Sequence, residues 1–200
     1  MIKNVICDMG NVLMTWNPHA LALVGSADPA EADIFEKELF RSPEWTLNDT
    51  GRYDEGELVK SIAKRIPENL IDRFYWLTEN WQNYVVPIPG ALEFVKWLKG
   101  KGLKVFMLSN APSRFPECVS HYEVYKLLDG AVVSWYAKCS KPDREIYLYA
   151  LEKFGIMARE SVFIDDLEAN IKGSEAVGIR GFVFDGDYDK LKRRLENIGV

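Results

Sequence analysis

Residues 6–13 read ICDMGNVL, and the order of apolar and charged residues in this stretch indicates how the chain folds. The apolar run 5–7 stops at Asp8, and Gly10 follows two positions later. A short apolar run of this kind is typical of a strand that is buried on both faces of a parallel sheet. Ligands of open parallel sheets bind beyond the carboxyl ends of the strands, so Asp8 is a candidate functional residue.

Further apolar runs rich in Val, Ile and Phe follow along the chain. Helical patterns separate them: one follows Pro89 and Gly90, another is opened by Pro142, and a third ends at Gly178. Strands that alternate with helices predict an α/β fold with a doubly wound, Rossmann-like parallel sheet. The predicted strands lie at 3–9, 104–110, 130–135, 161–166 and 181–185.

Residues 15–85 break this alternation and contain no convincing strand. Amphipathic helical stretches, a helix start at Pro43 and a capping-box start at Asp54, with Glu57 three positions later, take its place. The stretch VVPIPG at 85–90 has two prolines and suits a hinge-like linker. We therefore predict a core domain formed by 1–14 and 86–200, and a helical domain, 15–85, inserted after the first strand.

Composition narrows the classes of partner. With 48% hydrophobic residues, the 200-residue chain has enough apolar side chains for a full core. A net charge of −5 and the lack of a dense Lys/Arg run argue against nucleic acid and membranes as partners. The apolar run before Asp8 is too short for a signal peptide, so we expect a cytoplasmic protein with reduced cysteines. Nothing in the sequence distinguishes a monomer from a homodimer.

Polar residues follow four of the predicted strands. Taken singly, each has an ordinary explanation, such as capping a turn or a helix. The topology brings all of them to one rim of one sheet, where several carboxylates would repel each other unless cations balanced them. Mg²⁺, which prefers oxygen ligands, and a lysine would do so, and the resulting set of groups suits receipt of a phosphate. The residues are Asp8, Ser109, Asn110, Lys141, Asp165 and Asp166.

Four stretches carry a resemblance to a known family. DMGNVL at 8–13, VFMLSN at 105–110, SKPD at 140–143 and VFIDDLEAN at 162–170 resemble, in order, the four motifs of the haloacid dehalogenase (HAD) superfamily. The helical insertion is similar to the cap that many members carry between their first two motifs. Within the superfamily, the adjacent aspartates and the GNV tripeptide look most like bacterial sugar-phosphate phosphatases, such as an α-D-glucose-1-phosphate phosphatase.

The resemblance implies an Mg²⁺-dependent phosphatase of small phosphate esters, and it implies a role for each motif residue. Asp8 would attack phosphorus and form an aspartyl-phosphate, which water then hydrolyses. Ser109 and Asn110 would bind the phosphoryl group, and Lys141 would act in catalysis and binding by balancing the charges of Asp8 and the phosphate. The metal ligands would be Asp8, the Gly10 carbonyl, Asp165 and Asp166.

Gly10 departs from the family pattern, because most superfamily phosphatases have an aspartate there as general acid and base. Glycine keeps the carbonyl that serves as a metal ligand, but it carries no proton. General acid–base catalysis is typically worth about 10²–10⁴-fold, so a slow enzyme or good leaving groups, such as sugar 1-phosphates, would be expected. Asn11 replaces a family glycine and tolerates a left-handed backbone conformation.

Three alternatives remain open. A 2-haloacid dehalogenase-type hydrolase also lacks the second aspartate, but it needs no metal and does not keep two adjacent aspartates such as Asp165 and Asp166. A phosphate-transfer mutase would need a proton donor at the position of Gly10. A catalytically weak protein that binds metal or phosphate would explain the glycine as a decayed site.

Several residues of the helical region have both a functional and a structural explanation. A tryptophan there would stack on a sugar ring or pack in the core of the insertion. His19 would donate a proton or lie at the surface, and Arg41 and Arg52 would bind an anionic substrate or serve as helical surface charge. The tryptophans are Trp16, Trp45, Trp76 and Trp81.

Overall fold

The computed structural model describes residues 1–200 and contains one five-stranded parallel sheet. The strands run in the order β3-β2-β1-β4-β5, so the first strand of the chain is the central one. This confirms the predicted α/β fold and its five strands. They are β1 (Asn4–Cys7), β2 (Lys104–Ser109), β3 (Gly130–Val133), β4 (Ser161–Asp165) and β5 (Arg180–Val183).

The segment between β1 and β2 is helical and contains no strand. Pro43 begins a helix, and the Asp54 side chain accepts hydrogen bonds from the backbone of Gly56 and Glu57, as the capping pattern predicts. We refer to residues 18–84 as the helical segment. It consists of α1 (Pro18–Val24), α2 (Pro29–Phe35) with a π-helical turn (Glu36–Phe40), α3 (Pro43–Asp49), α4 (Glu55–Ala63), a 3₁₀ turn (Glu68–Leu70), α5 (Ile71–Asn80) and a second 3₁₀ turn (Trp81–Tyr84).

The two connections between the sheet and the helical segment pair with each other. The amide of Thr15 donates to the Val86 carbonyl at 2.8 Å, and the amide of Ile88 donates to the Leu13 carbonyl at 3.0 Å. The Thr15 hydroxyl accepts from the amide of Val86 at 3.1 Å. Both predicted domain boundaries fall in this linker pair, residues 13–15 and 86–88. The segment VVPIPG is therefore hydrogen-bonded to the other connection.

The remaining helices cover both faces of the sheet. Successive residues of β1 alternate between the faces: Val5 and Cys7 belong to a core shared with α6, α12 and the helical segment, whereas Ile6 packs with α10 and α11. This alternation is what a strand buried on both sides requires. No helix is both long enough and apolar enough to cross a membrane. The helices are α6 (Ala91–Gly100), α7 (Phe115–Val119), α8 (Glu123–Lys126), α9 (Ser134–Ala137), α10 (Arg144–Phe154), a 3₁₀ turn (Ala158–Glu160), α11 (Glu168–Glu175) and α12 (Tyr188–Glu196).

Candidate active site

A cavity of about 320 Å³ lies between the carboxyl ends of the strands and the helical segment. Its size falls at the lower end of the range for small-molecule sites. Polar residues that follow the strands line the sheet side, and aromatic residues, most of them from the helical segment, line the opposite side. The motif residues that line the cavity are Asp8, Gly10, Asn11, Ser109, Asn110, Lys141 and Asp166.

Lys141 lies between two carboxylates at the bottom of the site. Its ammonium nitrogen is 2.7 Å from Asp8 Oδ1 and 2.7 Å from Asp165 Oδ2. The other oxygen of Asp165 accepts hydrogen bonds from the Leu167 amide and the Asn170 side chain, both at 2.9 Å. Both oxygens of Asp165 are thus held by protein donors, and this residue supports Lys141 from behind rather than lining the cavity.

The burial of these charges shifts their pKa values. Burial raises the pKa of Asp8 to about 7; the positive charge of Lys141 lowers it, and the negative charge of Asp165 raises it further. Burial also raises the pKa of Asp166, although its hydrogen bond with Asn11 acts in the opposite direction. Burial lowers the pKa of Lys141, but the charges of Asp8 and Asp165 outweigh it and keep the pKa above its ordinary value.

The site has more negative than positive charge. Asp8, Asp165 and Asp166 each offer a carboxylate oxygen, and these oxygens lie within 4.8 Å of one another. Lys141 balances only one of the three charges when all are ionised. A divalent cation with oxygen ligands fits this donor set, because it would neutralise the remaining charge and favour the ionised form of Asp8.

The turn after β1 is built around Asn11. This residue has a φ of 54°, which confirms that its position is left-handed. The side-chain nitrogen Nδ2 of Asn11 donates to Asp166 Oδ2 at 3.1 Å, and the side-chain oxygen Oδ1 accepts from the backbone amide of Trp16 at 3.2 Å. Asn11 therefore joins the loops after β1 and β4 and fixes the orientation of Asp166, a role that the sequence did not indicate.

Gly10 leaves room for Trp16. A Cβ atom added to Gly10 would lie 3.3 Å from Trp16 Cβ and 3.7 Å from Trp16 Cγ, which is tight for a protein interior. A side chain at Gly10 would therefore require Trp16 to move. The tryptophan occupies the space next to the position at which resembling phosphatases have their acid–base aspartate.

Ser109 is the last residue of β2 and Asn110 follows it, and their side chains have different hydrogen bonds in the cavity. The Asn110 side chain exchanges two hydrogen bonds with the backbone of Lys141, both 2.9 Å long, so it ties the loop after β2 to the loop after β3. One N–H of its amide is left for a ligand. The Ser109 hydroxyl makes only a 3.5 Å contact with the Asn110 carbonyl, which leaves it available to a ligand.

Aromatic rings form the side of the cavity opposite the carboxylates. Trp81 is the centre of the group, with ring centroids 5.2 Å from Trp45, 5.8 Å from Trp16 and 6.2 Å from Phe40. Phe115 of α7 stacks on Trp81 at 6.1 Å. Three of the four tryptophans in the inserted region therefore serve both packing and the cavity lining, and we refer to these five residues as the aromatic wall.

Asp49, the last residue of α3, is the one acidic residue of the helical segment that lines the cavity. Its Oδ1 atom is buried and has no hydrogen-bond partner. Burial raises its pKa to about 8, against the influence of the Trp45 side chain. Sequence reasoning missed Asp49 because it belongs to no motif. Asn170 was also missed, although it stands one helical turn after Asp166 within VFIDDLEAN.

Other residues considered for function lie outside the cavity. His19 Nδ1 is 2.8 Å from Glu36 Oε2, and Arg41 Nε is 2.5 Å from Glu36 Oε1, so both belong to an exposed ion-pair group. Arg52 is exposed, and Trp76 is 43% exposed. None of these side chains lines the site.

The chain is similar to known hydrolases and phosphatases. Residues 2–178 match the model of the haloacid dehalogenase-like hydrolases. The sesquiterpene phosphatase astK of Aspergillus oryzae is 29% identical over 183 residues, which cover 90% of this chain and 88% of that protein.

Two solved structures share the fold. A HAD family enzyme from Bacteroides thetaiotaomicron, in complex with magnesium and inorganic phosphate, superposes with a TM-score of 0.73 at 22% identity, over 96% of this chain and 99% of that one. The L-2-haloacid dehalogenase from Xanthobacter autotrophicus, with chloropropionic acid covalently bound, gives a TM-score of 0.68 at 19% identity, over 100% of this chain and 84% of that one.

Proposed function

The chain belongs to the haloacid dehalogenase-like hydrolases, and on that premise we propose that it is an Mg²⁺-dependent phosphatase of small phosphorylated metabolites. The observation that carries the proposal is the position of Asp8, which faces the cavity while Lys141 contacts it at 2.7 Å and two further aspartates lie close by. A carboxylate in this position is suited to attack phosphorus from the sheet side of the cavity. The reaction would proceed through an aspartyl-phosphate on Asp8.

Each group near Asp8 has a role in this reaction. Lys141 neutralises part of the charge that the phosphoryl oxygens bring into the buried site, and Asp165 holds the lysine in place. The Ser109 hydroxyl and the free N–H of Asn110 donate hydrogen bonds to the phosphoryl group. Because two hydrogen bonds to the backbone of Lys141 fix the Asn110 side chain before the substrate binds, this donor needs little reorganisation during the transfer.

Mg²⁺ would be held by Asp8, Asp166 and the backbone carbonyl of Gly10. Asp165, the fourth ligand that the resemblance implies, has both oxygens engaged by protein donors and would support the site through Lys141. When bound, it supplies positive charge that keeps Asp8 ionised and stabilises the transferring phosphoryl group. Asn11 supports this site because its hydrogen bond sets the orientation of Asp166.

Residues 15–85, which contain the helical segment, are proposed to act as a separate cap domain on a core formed by 1–14 and 86–200. The chain passes between the two parts only through the linker pair, as a hinge requires. The aromatic wall excludes water and provides apolar surface for the leaving group of the substrate. Sugar phosphates fit this surface because their rings stack on aromatic side chains, and the Aspergillus relative adds isoprenoid phosphates to the compounds worth testing.

The proposal is tested by phosphate release from p-nitrophenyl phosphate, sugar phosphates and an isoprenoid monophosphate, with Mg²⁺ or with EDTA. We expect release that depends on Mg²⁺ and is abolished in Asp8→Asn. Asp72→Asn makes the same chemical change at an exposed site outside the cavity and should keep full activity. No release from any ester by the folded wild-type protein would refute the proposal. Chloride release from 2-haloacids without metal would then support the dehalogenase alternative.

A further inference from the structure

We propose that Asp49 is the general acid and base of the reaction, supplied by the helical segment from across the cavity. The inference rests on the phosphatase function proposed above. It answers the question that Gly10 raises, since a phosphate ester with a poor leaving group needs a proton at the departing oxygen.

The lining of the cavity leaves one candidate for this role. Its titratable residues are Asp8, Asp49, Lys141 and Asp166. Asp8 is the nucleophile, Lys141 is engaged by two carboxylates, and Asp166 is oriented by Asn11 toward the metal site. Only Asp49 has no other task, and its unpartnered Oδ1 is buried without a hydrogen bond.

The backbone of Asp49 is fixed to the loops that carry the site. The Ser134 hydroxyl donates to the Asp49 carbonyl and accepts a hydrogen bond from the Ala111 amide at 3.0 Å. Ala111 follows Ser109 and Asn110, and Ser134 follows β3 on the way to Lys141. The backbone of Asp49 is therefore tied to both loops that position the phosphoryl-binding side chains, although Asp49 comes from a different part of the chain.

The surroundings of Asp49 favour its protonated form. Burial raises its pKa, so it enters the reaction as a carboxylic acid near neutral pH. Two cations of the loops that contact the helical segment are engaged elsewhere. Lys138 donates to the Gly51 carbonyl at 3.1 Å, and Arg114 of the loop before α7 pairs with Glu55 at 2.8 Å, although its buried Nε has no partner.

The remaining charged groups face Asp49 across the cavity. They are Lys141, which is held by Asp8 and Asp165, and Asp166. None of these charged groups forms an ion pair or a hydrogen bond with Asp49, and the hydrogen bond from the Trp45 side chain, which lowers the pKa of Asp49, has a smaller effect than burial.

Asp49 alone can supply the proton that the first half-reaction needs and accept the proton that the second releases. In the first, an oxygen of Asp8 bonds to phosphorus, the ester P–O bond breaks, and the leaving oxygen takes the proton of Asp49. In the second, the Asp49 carboxylate removes a proton from water as the water oxygen bonds to phosphorus and the bond to Asp8 breaks. Inorganic phosphate leaves, and Asp8 and Asp49 return to their initial forms.

The test compares two leaving groups in Asp49→Asn, with Asp72→Asn as matched control. p-Nitrophenolate leaves without a proton, whereas the alcohol of a sugar phosphate does not. In Asp49→Asn we expect kcat for a sugar phosphate that the wild type hydrolyses to fall about 10²–10⁴-fold. The rate of the p-nitrophenol burst, which reports the first half-reaction, should fall less than tenfold. With the sugar phosphate, the wild-type rate should decline at alkaline pH because Asp49 loses its proton. Asp49→Asn should show no such decline.

Second variants separate the acid from a purely structural residue. Asp49→Glu keeps the carboxyl group and should restore part of the sugar-phosphate activity, whereas Asp49→Ser, which removes it, should behave like Asp49→Asn. Equal losses for both leaving groups, or no loss for either, would overturn the role of Asp49. Failure of the proposed function is seen separately, as the absence of phosphate release by the wild type.

Discussion

Lys141→Met removes the cation that holds the site together and leaves two carboxylates without their partner. Methionine keeps an unbranched side chain, so packing over the Phe163 ring is largely retained. The lysine nitrogen is 2.7 Å from both Asp8 and Asp165, and the exposed fractions of the three side chains are 2%, 11% and 0%. Water therefore gives little compensation for the lost charge.

The expected loss of stability follows from this burial. Removing one partner of a buried ion pair typically costs about 3–5 kcal/mol. Because Lys141 serves two carboxylates, we expect the free energy of unfolding to fall by at least about 3 kcal/mol, which corresponds to a decrease in Tm of roughly 6–12 °C for a chain of this size.

Urea unfolding followed by tryptophan fluorescence measures the effect. EDTA is present throughout, so that no divalent cation replaces the lysine charge. Lys60→Met, at an exposed lysine of α4, is the control and should change the free energy of unfolding by less than about 0.5 kcal/mol. A loss below about 1 kcal/mol in Lys141→Met would refute the view that this cation holds the site together.

Asp165→Asn then tests the reason for the loss. In the wild type it removes a partner of Lys141 and should be destabilising. In the Lys141→Met background it removes an unpaired buried charge and should recover at least about 1 kcal/mol. The same loss in both backgrounds would show that the lysine–carboxylate interaction does not determine the stability of the site.

Three further predictions concern the acid, the glycine and the metal. Asp49→Asn should be more stable than the wild type at pH 8.5 and nearly equal to it at pH 4. The pKa of Asp49 rises from 3.8 to about 8 on folding, so the wild-type protein loses up to about 6 kcal/mol of stability as the pH increases through this range. Urea unfolding at both pH values checks this, and a pH-independent difference would contradict it. Gly10→Asp should destabilise the protein by about 1–3 kcal/mol because of the clash with Trp16, and the loss should shrink in a Trp16→Ala background; equal losses in both backgrounds would show another cause. Mg²⁺ at about 100 times its Kd should raise Tm by roughly 5–10 °C, and an equal shift in Asp166→Asn would argue against the proposed ligands.

The strands were predictable because burial on both faces leaves a continuous apolar run. The run at 161–166 corresponds to β4 (Ser161–Asp165), and each of the other predicted runs overlaps one strand, with ends that differ by up to two residues. Helices with strong start signals, such as the one at Pro43, were also predictable. The strand order was not, because β1 pairs with strands far along the chain and no local pattern specifies such partners.

The site residues at or after the carboxyl ends of the strands were predictable from the sequence. Asp8, Ser109, Lys141 and Asp166 meet in one cavity because the carboxyl ends of parallel strands lie at one edge of the sheet. Asp49 was not predictable, since its burial results from the packing of the helical segment against loops after β2 and β3.

The conformation and the contacts of the turn after β1 were not equally predictable. Asparagine at position 11 predicted the left-handed backbone that is observed. Its hydrogen bond to Asp166 depends on the distance between two loops, which the sequence does not state.

The central position of β1 has a consequence for the newly made chain. Asn4 pairs with Lys104 on one side and with Ser161 on the other, so the strand that leads to Asp8 keeps an open edge until β4 has been synthesised. Such long-range pairing is slow, and unpaired strand edges invite aggregation, whereas the helical segment makes mostly local contacts and is complete much earlier. A chain that ends before β4 also lacks Asp165, so synthesis must extend through β4 before Lys141 and Asp8 can be held in their final arrangement.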